Sequence, residues 1–195
     1  MKPVELASPL VWHDQFTFDV SKLEHSISQC HEKAKDRGQV SLEIGDAKST
    51  ARLDYDDQPH NNPIHREFLE WLNPKVFEIF GKWDYKPFIP EITKSWYNSH
   101  FNTGETVEHN HQLTHMVVSC YLKVPENSGR ILFRDPVHDF RSMEPHQHGS
   151  NPWTPYEVKT NDVLFFPGWL YHKTEPSKSN DERIVMTLNI KAHLL

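Results

Sequence analysis

The stretch that decides the fold reads VLFFPGWLYH and covers residues 163–172. It opens with four apolar residues of high strand propensity, turns at Pro167-Gly168, and ends on a histidine. A second apolar run, IVMTLNI at 184–190, follows and is entered by one charged residue, Arg183. Together the two runs predict buried β-strands that carry polar groups at their ends.

Similar short runs of β-branched and aromatic residues occur throughout the C-terminal half, at 92–97, 116–124 and 130–133. Asn127-Ser128-Gly129 and Asn102-Thr103-Gly104 separate some of them and are predicted to form hairpin turns. This spacing of strands and turns predicts a strand-rich sandwich or barrel.

The N-terminal part has helical periodicity instead. Apolar residues recur at three- and four-residue steps over 19–37, and Gly38 supplies a stop. A second helical pattern covers 63–80, where Asn73-Pro74 is expected to split the helix and Gly81 to end it. Helices followed by many short strands predict a mainly β, α+β protein: a jelly roll with flanking N-terminal helices.

The chain has 195 residues, a length that predicts a single domain covering 1–195. Within it, 1–90 is expected to form the helical flank and first strands, and 91–195 the core. The net charge of -6 and the absence of a basic run make a nucleic-acid partner unlikely. The sequence lacks an apolar stretch of signal-peptide or membrane-spanning length, so we expect a cytoplasmic protein without a membrane partner.

Histidine is the unusual residue, since nine of the 14 copies occur from His100 onward. In an extended strand, His109 and His111 would project from the same face and could share one metal ion. A second pair, His146 and His148, lies in a proline-rich stretch without strand alternation. We predict a lid or rim over a substrate site there.

Arg183 needs an explanation of its own. It enters an apolar strand, and an unpaired charge in a protein interior is costly. The sequence therefore predicts an anionic partner for Arg183 inside the fold.

Residues of about 95–190 resemble the 2-oxoglutarate/Fe(II) oxygenases that are related to prolyl hydroxylases. The matching pieces, in order, are SWYN at 95–98, HNH at 109–111, SGRILFRDP at 128–136, FPGWLYH at 166–172, and Arg183 with Asn189. Their order and spacing are more specific than any single piece.

The resemblance implies a double-stranded β-helix with iron(II) bound by His109 and His172. It also implies that Arg183 grips the distal carboxylate of 2-oxoglutarate, a role that suits a guanidinium because it can form two parallel hydrogen bonds with a carboxylate. The expected reaction hydroxylates a C–H bond and releases succinate and carbon dioxide. Ascorbate is compatible with this chemistry as a further cofactor.

One departure from the family pattern concerns the metal. The usual carboxylate two residues after the first histidine is replaced by His111. We therefore predict a three-histidine site of His109, His111 and His172. Glu105 and Glu108 are nearby carboxylates, of which Glu108 is kept as a less favoured third ligand. Three histidines also suit zinc, and metal affinity is expected to fall near pH ~6 as histidines take up protons.

A second departure is Val185, where such enzymes often have a hydroxyl residue that contacts the same carboxylate. Thr187 lies on the same strand face and could replace it. Tyr97, Asn98 and Tyr121 are further candidates for hydrogen bonds to the cosubstrate, although aromatic packing is the alternative role for Tyr121.

Two other functions are compatible with the sequence: a cupin-like metal enzyme or zinc hydrolase that does not use 2-oxoglutarate, and a non-catalytic β-sandwich binding module. For the oxygenase, the expected substrate is a small molecule or a protein side chain. A homodimer is compatible with the sequence.

Overall fold

The structure, a computed structural model, describes residues 11–141, 143 and 151–195, and these contain eleven β-strands that pair antiparallel. The strands are β1 (Trp12–Gln15), β2 (Glu43–Ile44), β3 (Ala47–Ser49), β4 (Phe88–His100), β5 (Glu105–Thr106), β6 (Met116–Lys123), β7 (Ile131–Arg134), β8 (Trp153–Tyr156), β9 (Asp162–Pro167), β10 (His172–Thr174) and β11 (Arg183–Leu194).

The α-helices described are α1 (Val20–Lys35), α2 (Arg66–Lys82) and the single turn α3 (His138–Arg141). Three 3-10 turns, Tyr55–Asp57, Pro59–Asn61 and Pro63–His65, lead into α2. No helix in the described part of the chain combines the length and the apolar character that crossing a membrane requires.

The strands form two main sheets. The larger has the order β1-β9-β6-β11-β4-β3, the smaller has β10-β7-β8, and β2 pairs separately with β5. Sequence neighbours are mostly not sheet neighbours, as is typical of a jelly roll. The predicted class, a mainly β jelly roll with N-terminal helices, is confirmed.

Alternation along the strands of the larger sheet separates two apolar layers. Side chains at even positions of β6 and β11, such as Val118 and Met186, pack with α1 and α2 in one core cluster. Side chains at odd positions, such as Val117 and Val185, belong to a second cluster that includes Ile131 and Phe133 of β7. The central strands read as continuous apolar runs because both of their faces are covered.

The two predicted hairpin turns exist as turns but do not form hairpins. Asn127 and Gly129 have positive φ angles of 59° and 83°, and Thr103 has 67°. However, β6 pairs with β9 and β11 whereas β7 pairs with β10 and β8, so the first turn carries the chain between sheets. The second joins β4 to β5, which belong to different sheets as well. Turn chemistry was predicted correctly, but strand pairing depends on the whole sheet.

Helix α2 differs from its prediction at two points. It runs through Pro74 without a break and continues past Gly81 to Lys82. A proline inside a helix costs about 3 kcal/mol. Burial of Phe68, Leu72 and the following apolar residues on the same face offsets this cost.

The N-terminal helices pack directly against the larger sheet. Leu23 and Ile27 of α1 and Leu72 of α2 belong to the same buried cluster as Phe165 and Met186 of the larger sheet. The division into a flank of 1–90 and a core of 91–195 stays a prediction.

Candidate active site

Three histidines from two segments of the chain converge on one point. His109 and His172 form an isolated antiparallel bridge, in which each backbone N–H donates to the other residue's carbonyl oxygen at 3.0 and 2.9 Å. Their ring centroids are 4.3 Å apart, and the centroid of His111 lies 5.1 Å from each. Candidate ligand atoms of all three lie within 4.8 Å of one another. The imidazoles are thus close enough to share one ion.

The predicted extended strand through His109 and His111 is wrong. Both residues lie between β5 and β6, outside either strand. Instead, His109 is fixed by its bridge to His172, and the backbone N–H of His111 donates to the carbonyl oxygen of Gly168 at 2.8 Å. The two rings converge because both residues hydrogen-bond to the same distant segment.

Hydrogen bonds set the ring orientation of all three histidines. Nδ1 of His109 lies 2.8 Å from the carbonyl oxygen of Val107, and Nδ1 of His172 lies 2.9 Å from that of Leu170. Nδ1 of His111 lies 2.6 Å from Oδ1 of Asn189. Because these oxygens only accept, each Nδ1 carries the proton, and each Nε2 keeps its lone pair.

This pattern is the one that metal-binding histidines show. Such rings usually donate one N–H to a carbonyl or amide oxygen and coordinate through the other nitrogen. Nε2 of His111 is buried and has no hydrogen-bond partner within the described residues. An orphaned, buried lone pair is costly unless something binds it, so the three side chains fit a metal ion.

Close packing holds His111 in place. The indole ring of Trp96 stacks on its imidazole, with centroids 5.6 Å apart and an interplanar angle of 20°. Gly168 approaches from the other segment: a Cβ there would lie 2.1 Å from the carbonyl oxygen of Thr114 and 3.0 Å from that of His111. Only glycine fits at this position.

The three histidines are neutral at pH 7. Burial lowers the pKa of His111 to about 4, helped by the nearby His109. It also lowers the pKa of His109 and holds that of His172 well below its usual range. The predicted competition by protons near pH ~6 therefore shifts to more acidic solution, because these rings resist protonation in the fold.

The alternative carboxylate ligands lie elsewhere. Oε1 of Glu108 is 3.0 Å from a guanidinium nitrogen of Arg134, in a partly exposed ion pair. Glu105 is in β5, where it pairs with Ile44 of β2. Among the described residues, the group able to hold an ion consists of His109, His111 and His172.

The three histidines and Arg183 line one cavity. Arg183 is only 2% exposed, and its Nε has no hydrogen-bond partner in the part of the chain described. Of the residues predicted to bind the cosubstrate, four line this cavity. They are Arg183, Asn98, Tyr121 and Thr187.

Tyr97 does not line the cavity, and its predicted contact with the cosubstrate is wrong. Its ring belongs to the core cluster shared with the helices, and its hydroxyl hydrogen-bonds to Nε2 of His65 at 2.5 Å. The reason is strand alternation: in β4, Trp96, Asn98 and His100 face the cavity, so Tyr97 faces the opposite side.

Residues 94–189 match the family described as "Putative 2OG-Fe(II) oxygenase". The match contains all three histidines and Arg183. The chain belongs to the 2OG-Fe(II) oxygenase family. It is a non-haem iron enzyme whose cofactors are iron(II) and the cosubstrate 2-oxoglutarate. No curated protein sequence matches the chain.

Solved structures at low sequence identity share the fold of this oxygenase. A prolyl-4-hydroxylase from Pseudomonas putida is 9% identical with a TM-score of 0.58, and the match covers 96% of this chain and 94% of that one. HygX from Streptomyces hygroscopicus, solved with nickel, 2-oxoglutarate and hygromycin B bound, is 12% identical with a TM-score of 0.58 over 93% and 82% of the two chains. A viral collagen prolyl hydroxylase from Paramecium Bursaria Chlorella virus-1 is 15% identical, with a TM-score of 0.51 over 94% and 96%. At these identities the likeness shows the fold alone.

The oxygenase has further cavity residues that sequence reasoning missed. Trp96 and His100 could have been found, because they flank Asn98 at two-residue steps in one strand. Thr106 and Ser119 also line the cavity, and no pattern in the sequence marks them. The predicted lid around His146 and His148 lies outside the described residues.

Proposed function

We propose that this oxygenase hydroxylates a C–H bond of its substrate, with His109, His111 and His172 as the iron ligands and Arg183 as the clamp for 2-oxoglutarate. The observation that carries the proposal is that the buried guanidinium and the three imidazoles line one cavity. A dianion bound between them would neutralise the guanidinium and face the metal at its other end.

The metal end suits iron(II) in a specific way. Three neutral Nε2 ligands leave coordination positions for the cosubstrate and dioxygen. Iron and 2-oxoglutarate, when bound, supply the oxidant for hydroxylation and yield succinate and carbon dioxide. The three imidazole rings would hold the ion with their Nε2 atoms, because each Nδ1 is hydrogen-bonded to a fixed oxygen that sets the direction of its ring.

At the other end, Arg183 is placed to receive a carboxylate. Its Cζ lies 5.4 Å from the centroid of the Tyr121 ring, so the aromatic face supports the cation. Thr187 lies four residues after Arg183 on the same face of β11 and offers a hydroxyl. Oδ1 of Asn98 is buried without a partner among the described groups. These polar atoms fit a ligand with several oxygens.

The proposed substrate class rests on solved structures of the same fold and on two cavity residues beside His172. Solved structures of this fold include a prolyl-4-hydroxylase and an enzyme with the small molecule hygromycin B bound. Lys173 and Thr174 of β10 line the cavity next to His172 and are placed to meet a substrate. We propose a small molecule or a protein side chain as the substrate.

Succinate release tests the function directly. Purified protein supplied with iron(II) and 2-oxoglutarate is expected to release succinate, and more of it with a true substrate. Arg183→Met removes the charge and both hydrogen bonds, so the affinity for 2-oxoglutarate should fall by about 100-fold or more.

Arg130→Met is the matched control, because Arg130 forms a partly exposed ion pair with Glu175. It should leave the affinity unchanged. Equal affinity of the Arg183→Met and wild-type proteins for 2-oxoglutarate would remove Arg183 from its proposed role.

A further inference from the structure

A second buried charge lies near Arg183. Glu43 of β2 is 3% exposed and His100 is 2% exposed, as deeply buried as Arg183 itself. A carboxylate at such a depth is costly unless it is paired and hydrogen-bonded. The proposed function uses Arg183 and leaves the buried carboxylate without a role.

Hydrogen bonds join the two charges through an imidazole. Nε2 of His100 lies 2.8 Å from Oε2 of Glu43, and Nδ1 of His100 lies 3.4 Å from Nη1 of Arg183. The hydroxyl of Thr106 adds a bond to Oε2 of Glu43 at 3.0 Å. Since a carboxylate only accepts, Nε2 carries the imidazole proton, and Nδ1 presents a lone pair to the guanidinium.

Two strand pairings bring these residues together from distant parts of the chain. β4 pairs with β11 so that His100 stands opposite Arg183. β2 pairs with β5 so that Glu43 stands opposite Thr106. The carboxylate therefore comes from the N-terminal flank and is linked to the cavity through His100 and Thr106, which line it.

We propose that Glu43 is the counter-charge of Arg183 before 2-oxoglutarate binds, and that His100 is a positioning residue that holds the guanidinium in the orientation the cosubstrate needs. The proposal rests on the assignment of Arg183 to the 2-oxoglutarate carboxylate. Burial lowers the pKa of the Arg183 guanidinium, and the negative charge of Glu43 acts against this shift.

The arrangement has a consequence for affinity. In the empty protein the two buried charges balance each other. When the cosubstrate carboxylate arrives, Glu43 repels it, so part of the attraction of Arg183 is lost. Glu43 thus stabilises the empty fold and at the same time weakens the binding of 2-oxoglutarate.

A double-mutant cycle on the metal-free protein tests the pairing without cosubstrate or iron. Glu43→Gln keeps the shape and the acceptor for His100 but removes the charge. It should lower the urea midpoint of unfolding in the wild-type background. In an Arg183→Met background it should instead restore part of the lost stability, because Glu43 would there be a buried charge without a cation.

Equal loss in both backgrounds would overturn the proposal. If Glu43→Gln alone fails to fold, a folded double variant supports the pairing, and a double variant that also fails to fold contradicts it. Glu175→Gln, which breaks the partly exposed pair with Arg130, is the control and should have a small effect in both backgrounds.

The role of His100 is tested in the same cycle. In a His100→Gln background an amide can still join the two groups, whereas His100→Leu cannot. More coupling between Glu43 and Arg183 should survive in the first than in the second. Equal coupling in the two backgrounds would contradict the positioning role.

Cosubstrate affinity gives the second readout. Titration of 2-oxoglutarate into nickel-loaded protein should show tighter binding to Glu43→Gln by about three- to tenfold, since one like charge is removed. A purely structural role of Glu43 would weaken binding or leave it unchanged, and either result overturns the proposal.

The two readouts separate two kinds of failure. If coupling appears in the cycle but no variant binds 2-oxoglutarate, the charge pair is real and the proposed function is wrong. If wild-type protein binds 2-oxoglutarate and the cycle shows no coupling, the proposed function stands and Glu43 is not the partner of Arg183.

Discussion

The two ends of the cavity are built in opposite ways. At the metal end, His109 and His172 each donate Nδ1–H to a carbonyl oxygen two residues earlier in the chain, at Val107 and Leu170. At the Arg183 end, the polar contacts come from β2, β4 and β5, and none is local in sequence. The metal end is made of neutral rings, two of them oriented by nearby backbone and the third, His111, by Asn189. The Arg183 end is made of charges that tertiary structure alone brings together.

This difference teaches how each end should respond to change. A site of neutral rings loses metal affinity when one ring is removed. The stability of the fold should change less, because the removal leaves no buried charge unpaired. The Arg183 end couples ligand binding to fold stability, because every change there leaves a buried charge without its partner. Substitutions at the two ends should therefore have different signatures in binding and in stability.

The largest expected effect is at the metal end. His172→Ala removes one of three proposed ligands, so metal affinity should fall by more than about 100-fold and succinate release should be lost. The metal-free protein should still fold, with only a modest fall in its unfolding midpoint. Metal titration and chemical unfolding of the same sample measure both effects.

His193→Ala is a suitable control, because His193 lies exposed and pairs with Glu91. Unchanged metal binding is expected. Stoichiometric metal in purified His172→Ala would contradict the three-histidine site.

The next largest effect is expected at Gly168, whose carbonyl oxygen accepts a hydrogen bond from the backbone N–H of His111. Gly168→Ala places a Cβ 2.1 Å from the backbone oxygen of Thr114, so the segment must move, at a cost of about 2–3 kcal/mol. Metal affinity should fall with stability, because the carbonyl oxygen of Gly168 fixes His111.

Gly81→Ala provides the opposite case on the helical flank. A Cβ at Gly81 meets nothing within 4 Å, and alanine favours a helix, so stability should rise by about 0.5–1 kcal/mol. Similar destabilisation by both substitutions would show that the close approach at Gly168 is not the cause.

Much of the metal end could be predicted from the sequence because its candidate residues lie in recognisable short motifs. The order of His109, His111 and His172 marks the ligand set, and an apolar run before Pro167-Gly168 marks a strand that ends beside it. The strand through His109 was predicted wrongly, since one bridge to a distant segment replaces a ladder. The sequence motifs identified the three histidines, but the backbone bridge between His109 and His172 determines how they come together.

A smaller effect is expected at Asn189, which contacts the proposed ligand His111 but is not itself a proposed ligand. Asn189→Ala removes the acceptor that orients His111 and should weaken metal binding by about 10- to 100-fold without removing a ligand. Asn189→Asp keeps the acceptor and adds a charge that makes the ring a stronger ligand, so it should bind the metal at least as tightly as wild type. Metal titration ranks the three proteins, and weaker binding by both variants would contradict an orienting role.

The Arg183 end resisted prediction because its partners are distant in sequence. Arg183 itself stands out as a charge in an apolar strand, and this predicted an anionic partner. Nothing near Glu43 marks it as buried, since its position depends on the pairing of two-residue strands. Tyr97 was misplaced for a simpler reason: a continuous apolar strand does not reveal which face points inward.

The smallest expected effect uses protons to separate the two ends. The pKa of His111 is about 4 in the fold and near 6.5 in an unfolded chain. Between these values the unfolded state binds more protons than the folded state, so stability is full above pH ~6.5 and falls as the pH drops toward 4. From pH 7 to 5.5, His111 alone should cost the metal-free protein about 1 kcal/mol of stability.

The Arg183 guanidinium stays charged throughout this pH window. Urea unfolding of wild-type and His111→Asn proteins at both pH values measures the difference, because titrating groups away from this site, such as His65, are common to both and cancel. Asparagine at this position keeps a donor for Asn189 but does not titrate, so the variant should lose less stability on acidification than wild type. If both proteins lose the same amount, His111 does not carry a depressed pKa, and the metal end is more open to water than its buried rings indicate.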